Sequence, residues 1–178
     1  YFVAEADESD GSFAYLSPQI RVITNLDREQ LDYYRDLDHI KEVFAGYLDN
    51  LPQEARIIAW RDDPYLAPLL RGRPQRTVTY SLAPGADLVA TDIQTDGLGC
   101  RYRVWQGGRP LGIMHLPLAG AHYVLNSLAA CAVGAELNLP FPVWQQGLAG
   151  LGQIHRRCQV KGEAQGILVM DDYGHHPT

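Results

Sequence analysis

Ile20-Arg21-Val22-Ile23-Thr24-Asn25, then Leu37 to Leu48, then Ala55-Arg56-Ile57-Ile58-Ala59-Trp60 are the stretches that decide the fold. The first and last are short runs rich in Ile and Val, which read as strands. Between them apolar residues fall at 37, 40, 43, 44, 47 and 48, the period of an amphipathic helix. Apolar strands joined through a helix build a parallel sheet covered on both faces. Upstream, Tyr1-Phe2-Val3-Ala4 is an apolar run that stops at an acidic cluster and reads as the end of a buried strand. Downstream, Asp63-Pro64 opens a short helix through Leu70.

Residues 76–118 have a different texture. Arg76 to Tyr80, Asp87 to Ile93, Gly99 to Gln106 and Pro110 to Leu116 are short β-rich runs separated by Gly-containing turns. Gly107-Gly108 between two of them is a hairpin signal. This block predicts a small antiparallel sheet beside the parallel one. Helix returns at Ala121 to Leu137 and Val143 to Leu151, and Gly166 to Met170 is a strand ending at Asp171-Asp172. The expected class is α/β: a mostly parallel sheet flanked by helices, with a small antiparallel β subsheet.

Length and charge narrow the function. The chain has 178 residues, the size of one domain. Its formal net charge is −6, from 15 basic and 21 acidic residues, which argues against a general nucleic-acid binder. No apolar run approaches the ~20 residues of a membrane span. The opening Tyr-Phe-Val-Ala-Glu has no basic region or cleavage site, so no signal peptide and a cytoplasmic location are expected. Cys100, Cys131 and Cys158 are widely spaced and read as reduced thiols rather than zinc ligands. The lysines are Lys41 and Lys161 alone, and neither follows Gly, so the sequence contains no phosphate-binding loop of the Gly-Lys-Ser/Thr type. Lys41 falls on the amphipathic helix and Lys161 in what reads as a Val-Lys-Gly-Glu turn.

Glu5-Ala6-Asp7-Glu8-Ser9-Asp10 places four carboxylates in six positions directly after the first strand signal. Clustered carboxylates repel one another unless a cation sits among them, and ligands in open α/β sheets bind beyond the carboxyl ends of strands. A Mg²⁺ site is one reading; a solvated acidic loop is the other. Thr24 to Asp32 offers Asp27, Glu29 and Asp32 after the second strand, either as partners for the same ion or as a capped loop. Gly120-Ala121-His122-Tyr123-Val124-Leu125-Asn126 leads a helix, whose N-terminus favours anions, and Asn can pair with an adenine edge. Local hydrogen bonding is the plainer role for both His122 and Asn126. Arg156-Arg157 can clamp phosphate or ribose, or stay solvated. Asp171-Asp172-Tyr173-Gly174-His175-His176-Pro177 combines acidic and imidazole groups suited to polar contact with a nucleotide.

These motifs occur in one order: Glu-Ala-Asp-Glu-Ser-Asp at 5–10, Thr-Asn-Leu-Asp at 24–27 with Leu31-Asp32 and Tyr34, His122 with Asn126, Arg156-Arg157, and the Asp171 to Pro177 run. Together they resemble the Mur ligases along the whole chain, most closely their alanine-adding members. The resemblance implies part of the central ATP-binding domain, residues 1–178, without the upstream phosphate loop and the N- and C-terminal domains. It implies an ATP-dependent, ADP-forming ligase of peptidoglycan precursor synthesis that joins L-alanine to UDP-N-acetylmuramate through an acyl phosphate. UDP-N-acetylmuramate and L-alanine would be held by domains outside this chain. Glu5 matches the family's catalytic Mg²⁺-binding glutamate. His122, Asn126, Arg157, Asp172 and His175 match its ATP-binding residues.

The chain departs from the family at three places. Glu29-Gln30 stands where Asp-His is usual, so the second Mg²⁺ site is expected to be weakened. Tyr123 replaces an Asn, and Cys158 replaces a Phe. Two further classes stay open: the muropeptide recycling ligase, against which Ser9 and Tyr173-Gly174 speak, and a non-catalytic Mur-like binding module. This chain alone is expected to ligate nothing and to bind ATP weakly, since the phosphate cradle and its lysine are absent.

Overall fold

The computed structural model describes residues 1–152 and 154–174. Eight strands and four helices run in the order β1 (Ile20–Ile23), α1 (Leu37–Asp49), β2 (Arg56–Trp60), α2 (Leu66–Leu70), β3 (Arg76–Ser81), β4 (Leu88–Asp96), β5 (Gly99–Gln106), β6 (Arg109–Leu116), α3 (Ala121–Glu136), α4 (Phe141–Ala149), β7 (Gln159–Ala164) and β8 (Ile167–Asp171). A short 3₁₀ turn at Ser12–Tyr15 precedes β1. Strands β1 to β6 form one six-stranded sheet in sequence order. Strands β1, β2, β3 and β4 pair in parallel; β4, β5 and β6 pair antiparallel. It follows that only β5 runs against the others in this sheet, and the mostly parallel α/β class stands.

The alternation of β2 shows how three layers arise. Ile57 and Ala59 point to the face covered by α1 and α2, where they pack with Ile40, Leu48 and Leu66. Ile58 points the other way, to the face covered by α3 and α4, with Val124, Leu128, Ala132 and Trp144. All three β2 residues are fully buried. A strand apolar on both faces is stable only between two helical layers. Helix α1 begins at Asp36, whose carboxylate accepts the His39 N–H at 2.8 Å, satisfying one of the orphan donors of the first turn. Helix α3 is tied to the sheet at its far end by Glu136, whose almost buried carboxylate meets Arg56 of β2 and Arg76 of β3.

Three expectations are corrected. First, Tyr1–Ala4 is not a strand: Tyr1, Phe2 and Val3 are exposed and no strand pairs with them. Four apolar residues make a strand only where a ladder partner exists. Second, the antiparallel part is not a separate sheet beginning at residue 76. β3 lies parallel to both β2 and β4, and antiparallel pairing begins with β4 and β5 as a continuation of the same sheet. A parallel connection usually needs a long crossover, but β3 and β4 share only the register pairs Tyr80–Leu88 and Ser81–Val89. So short an overlap needs only the loop 82–87, held by the Asp87 carboxylate, which accepts both the N–H and the hydroxyl of Thr79. Third, Lys161 lies within β7, which pairs with β8 in a separate two-stranded sheet rather than forming a turn. The Gly107-Gly108 turn does join two antiparallel strands, β5 and β6.

Candidate functional site

Two groups of loops gather the singled-out residues. The first lies before and after β1. In the acidic loop the Ser9 N–H donates to the Asp7 carboxylate at 2.7 Å and the Ser12 N–H to the Asp10 carboxylate at 2.9 Å. The Ser9 backbone bond first, then its side chain, holds the Asp7 carboxyl below the ordinary aspartate range, and the Ser12 side chain first, then its backbone bond, does the same for Asp10. Gly11 sits at φ 71°, and a side chain there would run into the Tyr33 ring, which closes over it. The Tyr34 hydroxyl donates to the Glu8 carbonyl at 2.6 Å. Its ring is 1% exposed, and burial first, then the neighbouring Tyr33 and acidic residues, pushes its pKa up to about 12.

The second motif folds back on itself. Gln30 adopts φ 53°, and its carbonyl accepts the N–H groups of Tyr33 and Tyr34. On the far side Asp63, 2% exposed, accepts the Leu26 N–H at 3.0 Å as well as those of Tyr65 and Leu66. The loop after β1 is therefore pinned to the start of α2 by one carboxylate.

Glu5 and Gln30 are exposed. Their donors are hard oxygens, and Mg²⁺ binds through one or two protein oxygens with water and phosphate completing its shell. The donor set fits that mode. It does not fit an all-protein cage: among the described residues no three His, Cys, Asp or Glu side chains converge on one point. Glu5 also follows an irregular segment, not the strand end that the sequence suggested.

The second group surrounds the start of α3. Gly120 precedes the helix at φ 132°, and the His122 ring folds back over it, 3.0 Å or less from where a side chain at Gly120 would begin. The His122 and Tyr123 rings lie 4.2 Å apart. The Tyr123 hydroxyl is pushed up by burial first, then by Cys158 and Asp172, and is drawn down by Arg157. Those three residues therefore lie within electrostatic reach of it. Asn126 stands one turn beyond His122 on the exposed side of α3.

The two final motifs bind each other. Asp172 accepts the Cys158 N–H at 2.7 Å, and the Tyr173 N–H donates to the Arg156 carbonyl at 2.7 Å. The Arg156 guanidinium lies over the Tyr173 ring, 4.1 Å from its centre. The Cys158 backbone bond, then its thiol and Arg157, hold Asp172 below the ordinary range, and the carboxylate in turn raises the thiol. Arg156 and Cys158 sit at φ 58° and 46°, a backbone that turns the chain sharply between α4 and β7. The structure thus ties Asp172 to Cys158 and Tyr173 to Arg156, with Arg157 and Asp172 in electrostatic reach of Tyr123 and the His122 ring tilted against it. Among the described residues Glu5 makes no polar contact with this group. His175 lies outside the described residues.

Sequence reading named Arg157 and Asp172 but not the Cys158 bond that orients the carboxylate, and it gave Tyr34 no role. Their partners lie 14 and 26 positions away along the chain. Volume does not find the site either. A hollow of about 550 Å³ by Arg71 and Gln75, and one of about 640 Å³ by Gln94 and His115, contain none of these residues. Among the described residues no helix is long and apolar enough to cross a membrane.

The family model of the Mur ligase middle domain matches residues 1–134. A protein of Desulfatibacillum aliphaticivorans, named UDP-N-acetylmuramate--L-alanine ligase, is 48% identical over 178 residues, covering 100% of this chain and 39% of that protein. The solved UDP-N-acetylmuramate-alanine ligase of Thermotoga maritima has a TM-score of 0.80 at 24% identity, over 96% of this chain and 38% of its own. The MurF ligase of Thermotoga maritima, solved in complex with ADP, has a TM-score of 0.73 at 21% identity, over 90% of this chain and 38% of its own. The chain therefore spans about 39% of the length of the curated relative, and the solved structures speak for the fold.

Proposed function

The chain belongs to the Mur ligase family through its middle domain, and from that premise we propose that it is the nucleotide-handling part of an ATP-dependent, ADP-forming ligase that joins L-alanine to UDP-N-acetylmuramate in the cytoplasm. The observation that carries this reading is the 48% identity, end to end, with a protein of that name. The ADP complex of the MurF neighbour supports the nucleotide. The Cys158–Asp172 bond that joins the last two motifs, and the electrostatic reach of Arg157 and Asp172 to Tyr123 at the start of α3, support its place.

In this reading the Arg157 guanidinium fork meets phosphate oxygens. Asp172, kept ionised by Cys158, accepts from nucleotide hydroxyls, and Asn126 and His122 border the base. The sugar's lactyl carboxylate attacks the γ-phosphorus and the bond to the ADP oxygen breaks. The alanine amine then attacks the acyl phosphate carbonyl and phosphate leaves. Magnesium held at Glu5 would neutralise charge on the phosphate oxygens, the main electrostatic demand of phosphoryl transfer. Gln30 offers a neutral amide oxygen at a second position. The UDP-sugar and the amino acid are assigned to parts of the full-length protein beyond these 178 residues, so this chain alone is assigned no ligation and weak ATP binding.

The test is ADP release by the full-length protein. Release that requires UDP-N-acetylmuramate, L-alanine and Mg²⁺ together is the expected result. Release that ignores alanine but requires a peptide would instead assign the recycling reaction.

A further inference from the structure

We propose that Tyr34 is a positioning residue: a strut that locks the acidic loop at residues 5–11 to the Gln30 turn, so that the loops before and after β1 are held in one geometry. This rests on the reading that Glu5 faces a nucleotide-bound magnesium. Tyr34 is bonded at both ends. Its N–H donates to the Gln30 carbonyl at 2.9 Å, and its hydroxyl donates to the Glu8 carbonyl at 2.6 Å. The same Glu8 carbonyl accepts the Gly11 N–H at 3.1 Å, so one oxygen gathers both the loop's own turn and the strut.

The strut itself cannot swing. Its ring is 1% exposed and belongs to the core with Ile40, Ile57 and Leu66. Tyr33 and His39 stand edge-on to it at 4.9 and 5.7 Å. A phenylalanine would fill that space equally well. The hydroxyl is therefore not needed for packing, and its partner among the described residues is the acidic loop. The rest of that loop is held by local bonds of exposed residues, Ser9 to Asp7 and Ser12 to Asp10. Such bonds shape a turn but do not fix it to the sheet. Tyr34 ties the loop to buried structure at Glu8, Phe13 packed on Phe44 and Tyr47 anchors the chain just beyond it, and Tyr33 closing over Gly11 completes the seat.

The experiment is Tyr34→Phe in the full-length protein, read in two ways. The first is amide exchange, which does not depend on ligation. The amides of Ser9, Gly11 and Ser12 are expected to exchange about three- to tenfold faster, the equilibrium worth of one hydrogen bond, while those of β2 do not change. The second is magnesium dependence. The Mg²⁺ concentration for half-maximal ADP release is expected to rise by a similar factor of about three to ten, with kcat at saturating Mg²⁺ kept within about twofold. Unchanged loop exchange overturns the proposal. So does acceleration shared by β2, which would make Tyr34 a general stability residue. If the unaltered protein releases no ADP, the ligase reading fails by itself, and the exchange comparison still decides the strut.

Discussion

Strands β2 and β8 are both five residues long and both strongly apolar, Arg-Ile-Ile-Ala-Trp and Ile-Leu-Val-Met-Asp. Their surroundings are opposite. Ile57, Ile58 and Ala59 are 0% exposed, whereas Ile167, Leu168, Val169 and Met170 are 66, 44, 52 and 41% exposed. The difference is layers, not composition. β2 lies between two parallel neighbours with helices over both faces. β8 has one partner, β7, whose Gln159-Val-Lys-Gly-Glu-Ala164 sequence is largely polar and exposed. What β8 does instead is deliver Asp172 to Cys158. One strand builds the frame and the other carries a residue to the proposed site.

The sharpest way to break this comparison is to shorten one side chain in each strand of the 178-residue chain. Ile58→Ala is expected to cost about 3 kcal/mol in urea unfolding, through lost transfer energy and the cavity left behind. Val169→Ala should stay within about 0.5 kcal/mol, as exposed positions do. Equal costs would mean that exposure does not describe β8.

Next in size is Glu136→Ala. It removes the anchor shared by Arg56 and Arg76, and a loss of about 2 kcal/mol is expected, because the half-exposed arginines can return to water. A loss near zero would show that apolar packing alone seats α3 on β2 and β3.

The loops give smaller effects. Gln30→His is expected to lower the magnesium requirement of the full-length protein by about threefold at most, since imidazole binds most divalent metals better but Mg²⁺ prefers oxygen. His tolerates the left-handed backbone found there. An unchanged or higher requirement would remove Gln30 from the metal's neighbourhood. Alkaline pH tests the Tyr34 bond when the unaltered protein is set beside Tyr34→Phe. Burial raises the Tyr34 pKa in the fold to about 12, so its contribution is complete below the unfolded value of about 10 and is lost as pH rises through that window. Loop stability, followed by limited proteolysis, should fall there and not between pH 6 and 9, and by more than in Tyr34→Phe, which shares the other raised tyrosines Tyr47, Tyr80 and Tyr102. A fall within that neutral range would assign the loop's stability to another group.

Periodicity marked α1 to within a residue, because apolar residues at helical spacing face a packed layer, and an Ala- and Leu-rich run marked α3 as closely. It misplaced Tyr1–Ala4, since an apolar run does not say whether a ladder partner exists. It passed over β7, whose polar residues carry no alternation. It put β3 in the antiparallel part because β-rich texture is blind to strand direction. For the proposed site, the residues alone left Arg157, Asp172, His122 and Asn126 open between nucleotide contact and solvated or local roles, and only motif resemblance chose between them. The bonds from Tyr34 to Glu8 and from Cys158 to Asp172 join distant residues, and no local pattern encodes them.

The proposal is that the loops around α3 and the last motif form one nucleotide site, to which the acidic loop would bring magnesium. Amide exchange of the full-length protein with and without MgATP tests it most directly. Slower exchange is expected at residues 120–126, 156–158 and 171–174, and at 5–11, with no change in the β5–β6 hairpin. A footprint on that hairpin, with the α3 start and the Asp172 segment unaffected, would contradict it.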